Sequence, residues 1–406
     1  MDFGSKLSEK ATMEAKNRYP ASLALDTKKK DMNYMPEKYL GESIGKLGFG
    51  FMRMPMADGL GIDYDLQKRM IDKYLAAGFR YFDTAYAYAG SEEALRETLV
   101  KRHRRDKFSI TTKLHAFSVN SREDMQKMFD TSMERLGLDY LDFYLFHGLT
   151  LEICEKLEHL DGWEFVRKLK MQGRIGHYGF SFHDTPEHLD EMLSRHPDAE
   201  LVQLQINYLD WDNPEVQSRR LYETVRKHNK PFTIMGPNKG GLLAGEGSLA
   251  EEILRKVNPE VSAASWAVRF ASSLDGLITM LSGMGTMEQL EDNIRTIQNL
   301  RPLTTSEMDT LRSVADMLRQ MPAIQCTGCK YCMEACPQKL NIPNLITLYN
   351  EYLVYRQIRS IGYTFDEATM GGRLPSTCTA CRSCEKHCPQ HIEISEIMLK
   401  TATAYE

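Results

Sequence analysis

Between about residue 46 and residue 300 the chain alternates between two hydrophobic patterns. Short apolar, β-rich runs are each followed by a stretch in which apolar residues recur every three or four positions. KLGFG precedes a helical stretch from about Tyr64 to Ala77, FRYFDTA precedes SEEALRETLV, FSITTKL precedes SREDMQKMFDTSMERL, and YLDFYLFHG precedes WEFVRKLKMQ. HYGFSF then leads to PEHLDEMLS, LVQLQINYL to RRLYETVRK, FTIMGPN to ASWAVRFAS, and LITMLSG to MEQLEDNIRTIQ. Runs that are apolar throughout suit strands buried on both faces, as in a parallel sheet wrapped by helices. Eight such β/α units predict a closed (β/α)8 TIM barrel of the α/β class. No GxGxxG follows the first strand, so a dinucleotide site of the doubly wound kind is not expected.

After the barrel the pattern changes. A helical stretch, SEMDTLRSVADMLRQ, is joined through MPAIQ to CTGCKYCMEACPQ (Cys326 to Gln338), which recurs as CTACRSCEKHCPQ (Cys378 to Gln390). Eight of the nine cysteines fall in these two blocks. A secreted disulfide framework spreads its cysteines, whereas clustered thiolates in a reducing compartment point to metal. In CxxCxxCxxxCP three thiolates hold one cubane, and the fourth reaches the other cluster. The expected ligands are Cys326, Cys329, Cys332 and Cys388 for one [4Fe-4S] cluster, and Cys378, Cys381, Cys384 and Cys336 for the second. Paired structural zinc sites are the alternative, and the proline after each fourth cysteine weighs against them. The ninth cysteine, Cys154 in LEICEKLEHL, reads as a buried helix thiol.

Composition narrows the partners. The chain has 406 residues, 42% hydrophobic and 26% charged, with a formal net charge of −5. That is enough for a barrel and a smaller domain, with no basic excess to call for nucleic acid or an anionic membrane. No apolar run approaches the roughly 20 residues of a spanning helix, and the charged start has no signal-peptide core. A cytoplasmic protein is expected. The first forty residues, with Lys28 to Lys30 and no clear period, read as a loosely draped extension or a partner contact.

In a barrel of this kind chemistry sits at the C-terminal ends of the strands. The second strand ends in Asp83 with Tyr88 five residues on, the third carries Lys113, and the fourth carries His147. Any one of these could be a chance residue in a strand or loop, but four at successive strand ends form a proton-transfer set. Tyrosine, with a pKa of about 10, is a poor base alone, so a neighbouring ammonium such as Lys113 is expected to stabilise its phenolate. Asp83 would hold that lysine cationic, and His147 would orient a substrate oxygen.

RYFDTAYAYAGSEEALRETL, with TTKL and LFHG, resembles the aldo-keto reductase superfamily, whose Asp, Tyr, Lys and His tetrad falls on Asp83, Tyr88, Lys113 and His147. The resemblance implies hydride transfer between a nicotinamide and a small carbonyl or alcohol substrate. It places Ser181 and Gln203 at the carboxamide, Gly236, Pro237 and Asn238 at the pyrophosphate, and Gly283, Gly285, Gln289 and Asn293 near the adenosine end. Met52 falls near the reacting carbon. Met235 stands where an aromatic residue commonly stacks on the nicotinamide, Phe182 replaces a usual asparagine, and no basic residue marks a 2′-phosphate site. The cofactor is thus left open among NADP(H), NAD(H) and a flavin such as FMN.

The cysteine blocks and the helical segment between them resemble alpha-helical ferredoxin-like domains. The whole chain after residue 40 is similar to ferredoxin-domain-containing aldo/keto reductases. The expected division is an extension over 1–40, a barrel over 41–320 and a two-cluster domain over 321–406. Three functions fit. One is an iron-sulfur oxidoreductase whose clusters exchange electrons with the barrel site or with a redox partner protein. The others are an NAD(P)H-dependent carbonyl reductase with structural or regulatory clusters, and a non-catalytic electron-transfer subunit.

Overall fold

The computed structural model describes residues 37–39, 42–57, 61–245, 248–355, 365–369 and 372–406. The N-terminal extension expected from the sequence falls, apart from residues 37–39, outside the described residues. Eight parallel strands close a barrel: β1 (Leu47–Gly50), β2 (Tyr81–Asp83), β3 (Ser109–Leu114), β4 (Leu141–Leu149), β5 (Ile175–Phe182), β6 (Leu201–Gln205), β7 (Phe232–Met235) and β8 (Leu277–Ser282). Each pairs with its neighbours in sequence, and β8 returns to β1 through Met280 opposite Leu47. Every strand corresponds to one of the eight apolar runs. Near residue 179 the barrel demands glycine, because a Cβ on Gly179 would lie 2.0 Å from the Leu201 carbonyl oxygen.

Inside the barrel, Tyr81, Phe143, Leu145, Leu201, Ile278 and Leu281 pack with Ile44. Ile44 ends a short antiparallel pair, Glu37–Tyr39 with Glu42–Ile44, whose two strands lie on either side of the boundary expected at residue 40. The larger apolar cluster lies between strands and helices and includes Phe49, Tyr74, Phe82, Phe129, Trp163 and Trp266. The helices start where their sequences supply caps: Asp63, Ser121, Thr185 and Thr286 each accept a backbone N–H of the first turn. Two helices beyond the repeat pattern, Leu151–His159 and Leu249–Val257, sit in the connections after β4 and β7. Cys154 is fully buried in the first of them. Trp211, after β6, packs against Phe270 and Tyr222 behind the barrel wall.

The helix Thr305–Gln320 closes this unit and opens with a capping box of Thr304 and Glu307. Arg269 grips Glu307 through both guanidinium nitrogens, at 2.8 and 2.9 Å. Burial opposes the charge on Glu307, but the Arg269 fork and the Thr304 N–H outweigh it and bring the carboxyl down to about 2. Its folded pKa therefore lies below its ordinary 4.5, so the stabilisation is complete above pH 4.5 and is lost as pH falls toward 2. Because solvent partly screens the pair, Glu307→Gln is expected to lower barrel stability by on the order of 1–2 kcal/mol near neutral pH, less than the full shift would give. In denaturant titrations at several pH values, the gap to the unmodified protein should shrink below pH 4.5.

The C-terminal unit is helical. Ile342–Tyr355 packs against Ile394–Tyr405, around Leu340, Leu345, Ile346 and Met398. The segment between the cysteine blocks is helical over Ile342–Tyr355 and Phe365–Thr369, as its pattern suggests. Among the described residues no helix is long and apolar enough to cross a membrane.

Candidate active site at the barrel mouth

Strand register brings the predicted tetrad together. Asp83 ends β2, Lys113 lies one residue from the end of β3, and His147 lies near the end of β4. The Lys113 ammonium donates to Asp83 Oδ1 and to the Thr84 carbonyl, each at 2.7 Å. It stands 5.2 Å from the centre of the Tyr88 ring. Asp83, Lys113 and His147 are buried and Tyr88 is half-buried, and this desolvation sets their charge states. Burial draws Lys113 down and Asp83 up, and each partner pulls the other back toward the ion pair. Burial, followed by the Tyr331 phenol and Asp83, pushes the Tyr88 hydroxyl well above its usual range. The sequence suggested a phenolate stabilised by Lys113. In the structure the ammonium binds Asp83 and the Thr84 carbonyl behind the Tyr88 ring, and Tyr88 rests as a protonated phenol. Burial and the nearby Lys113 charge keep His147 a neutral imidazole.

The other positions expected from the sequence line the same mouth. Gln203 lies beside Ser181 in the β5–β6 register. Ser181 Oγ accepts the Gly148 N–H at 2.7 Å, while Gln203 Oε1 is buried without a hydrogen-bond partner among the described residues. Met235 ends β7, and Gly236, at φ 66°, turns the chain into Pro237 and Asn238. Asn238 Oδ1 is likewise buried without a partner among the described residues. After β8, Gly285 donates to Gln289 Oε1 at 2.8 Å and Asn293 donates to Ser282 Oγ at 2.8 Å, so Gln289 and Asn293 brace the loop that carries Gly283. Met52 follows β1, half-buried.

The cysteines gather as two sets of four. Cys326, Cys329, Cys332 and Cys388 line one hollow, and Cys336, Cys378, Cys381 and Cys384 line the other. These are the sets that the block spacing anticipated. Both blocks share one backbone design, with left-handed residues at Gly328 and Lys330 in the first and at Ala380 and Arg382 in the second. In the first block the turn aims the Gly328 N–H at Cys326 Sγ, 3.4 Å away. Four thiols around each hollow fit a four-iron cluster, whose sulfur ligation is stabilised by such N–H groups.

Both blocks are seated directly on the barrel mouth. Arg53 donates to the Thr327 carbonyl, and Gln390 donates to Gln205 at 2.8 Å. Phe117, after β3, lies 4.8 Å ring to ring from His387. Thr327 presses so closely on Gly240 that a Cβ there would meet the Thr327 carbonyl oxygen at 2.5 Å. Tyr331, between Cys329 and Cys332, reaches the tetrad: its hydroxyl donates to Tyr88 at 3.3 Å and lies 3.1 Å from His147 Nε2. Sequence reasoning did not single out Tyr331. The available signal was a difference between the blocks, since the second carries Ser383 at the equivalent position.

Residues 46–316 match the model of the aldo/keto reductase family, and residues 325–393 match the 4Fe-4S dicluster domain. The chain belongs to the aldo/keto reductase family. It is an oxidoreductase of that family with a 4Fe-4S domain at its C-terminal side. An aldo-keto reductase of Mycobacterium sp. (strain KMS) is 34% identical over 206 residues, covering 50% of this chain and 68% of the relative. Methylglyoxal reductase DkgA of Yersinia pestis is 27% identical over 227 residues, 55% of this chain and 75% of that protein. In fold, an aldo-keto reductase from Klebsiella pneumoniae solved in complex with NADPH superposes with a TM-score of 0.57 at 18% identity, covering 73% of this chain and 99% of its own. Together these matches account for the barrel but leave the seating of the cysteine blocks on its mouth to be explained from the structure.

Proposed function

We propose that this aldo/keto reductase interconverts a small carbonyl compound and its alcohol at Tyr88 and exchanges the electrons with two [4Fe-4S] clusters. The observation that carries the reading is the place of Tyr331. It lies between two expected ligands of one cluster and within hydrogen-bonding distance of both Tyr88 and His147. The inner cysteine hollow and the acid/base site are therefore parts of one structure.

The chain's own residues have definable tasks. Tyr88, kept protonated by burial, donates its proton to the carbonyl oxygen as that oxygen gains negative charge. His147, neutral, donates Nε2–H to the same oxygen and orients it. The Asp83–Lys113 pair places a dipole behind the phenol that favours the developing phenolate once the proton has left. Ser181 and Gln203 suit a nicotinamide carboxamide, and the unpartnered Gln203 Oε1 supplies the acceptor that an amide N–H₂ requires. A nicotinamide held there would supply or accept the hydride at the substrate carbon. The Klebsiella pneumoniae aldo-keto reductase solved in complex with NADPH is in keeping with that choice. Because a hydride carries two electrons and a cluster passes one, exchange with the clusters would need a flavin or a partner protein at which the pair could divide.

Anaerobic purification tests the reading. About eight irons per chain are expected, as two four-iron clusters require. Added NADPH or NADH should bleach the visible cluster absorption, directly or after addition of FMN. Full iron content with carbonyl reduction but no bleaching under either condition would reject electron exchange and leave a nicotinamide-dependent reductase whose clusters serve the fold.

A further inference from the structure

We infer that Tyr331 is the gate of the carbonyl site: its hydroxyl fills the seat of the substrate oxygen, and substrate enters only when the side chain turns out of it. The inference rests on the role of Tyr88 and His147 proposed above. For both groups to act on one substrate oxygen, that atom must accept from the Tyr88 hydroxyl and from His147 Nε2. The Tyr331 oxygen already stands where such an atom would sit, 3.3 Å from the Tyr88 oxygen, to which it donates, and 3.1 Å from His147 Nε2. The rings confirm the seating, since the His147 imidazole stands edge-on to both phenols, at 5.6 Å from Tyr88 and 5.7 Å from Tyr331.

The backbone around Tyr331 has little freedom to withdraw. Cys329 and Cys332 flank it as expected cluster ligands, and Thr327 of the same block is pinned to the barrel at Arg53 and Gly240. The phenol ring, by contrast, borders open space. It forms one wall of a cavity of about 490 Å³ between the two units, together with His115, Phe117, His147, His183 and His387. That volume lies in the range of small-molecule sites and has room for both a turned phenol and a ligand. Side-chain rotation into the cavity frees the oxygen seat without undocking the cluster unit. The cavity is then the vestibule through which a carbonyl compound approaches Tyr88. The residue also separates substrates: only one whose oxygen binds the Tyr88–His147 pair well enough to compete with a phenol displaces it.

The test uses full-length protein with both clusters, purified anaerobically. Acetate is the binding probe, because its oxygens accept from a phenol and an imidazole N–H without turning over. Tyr331→Phe keeps the ring but removes the competing hydroxyl. Calorimetry is expected to show acetate bound about tenfold more tightly than by the unmodified protein, the scale set by hydrogen bonds that no longer compete. With 4-nitrobenzaldehyde as substrate, KM is expected to fall by a similar factor while kcat changes less. Unchanged acetate affinity, or a fall in kcat at constant KM, would overturn the gate and make the hydroxyl a working part of turnover. Should Tyr331→Phe lose iron, the acetate affinity of Tyr331→Ala decides the matter by the same criterion. A failure of the underlying acid/base reading shows elsewhere, in a Tyr88→Phe protein that keeps its turnover.

Discussion

Tyr88→Phe is expected to lower kcat for carbonyl reduction by about two to four orders of magnitude, the usual worth of a positioned proton donor. The substitution leaves the ring in place beside His147 and touches neither cysteine hollow, so iron content and the visible spectrum should match the unmodified protein. Those two measurements make a low rate interpretable. The effect should be concentrated in kcat, because the proton moves as charge develops on the oxygen and not when substrate binds. A variant that retains more than about a tenth of the original kcat would place the proton donor elsewhere. The direction of the reaction matters here. With its hydroxyl held protonated by burial, Tyr88 is prepared as an acid for carbonyl reduction, and alcohol oxidation must first generate the phenolate.

The second large effect is structural as well as catalytic. Lys113→Met would leave the Asp83 carboxylate buried with its ammonium partner gone. Breaking such a pair from one side costs about 3–5 kcal/mol. Asp83 is already drawn toward its protonated form by burial, and losing Lys113 removes the main counterweight. Its folded pKa then lies above the unfolded value, so the folded form of the variant gains a proton relative to the unfolded chain. The loss should be largest at high pH and should shrink as the solution is acidified. Denaturant midpoints for Lys113→Met across pH would show this slope. Adding Asp83→Asn should recover much of the stability and none of the activity, since the neutral pair no longer presents a charge behind Tyr88.

The two units differ in what their sequences made legible. The barrel could be read because each of its strands is a short apolar run and each run is followed by a helical period. The tetrad followed from the barrel, since strand ends in such a fold converge on one mouth whatever the loops do. The cysteine sets were equally legible, because the proline after each fourth cysteine carries that thiol toward the other block. Charge states were not. Whether Lys113 serves Asp83 or Tyr88 depends on distances of a few tenths of a nanometre, which strand patterns do not fix. The direction of a loop side chain is equally hidden: Trp211 follows β6 at the mouth, but the loop turns it back onto Phe270. Tyr331 was hidden for a further reason: its importance depends on how one unit sits on the other, and no periodicity encodes that contact.

The junction between the units has a thermodynamic meaning. The helix that ends at Gln320 is followed at once by the short stretch Met321 to Gln325, and then by Cys326. So short a tether keeps the cluster unit at an effective concentration of about millimolar or more over the barrel mouth, whether or not it is seated. Seating is thus a unimolecular equilibrium. Dilution cannot shift it, and a detached cluster unit supplied in trans would have to reach comparable concentrations to compete for the mouth.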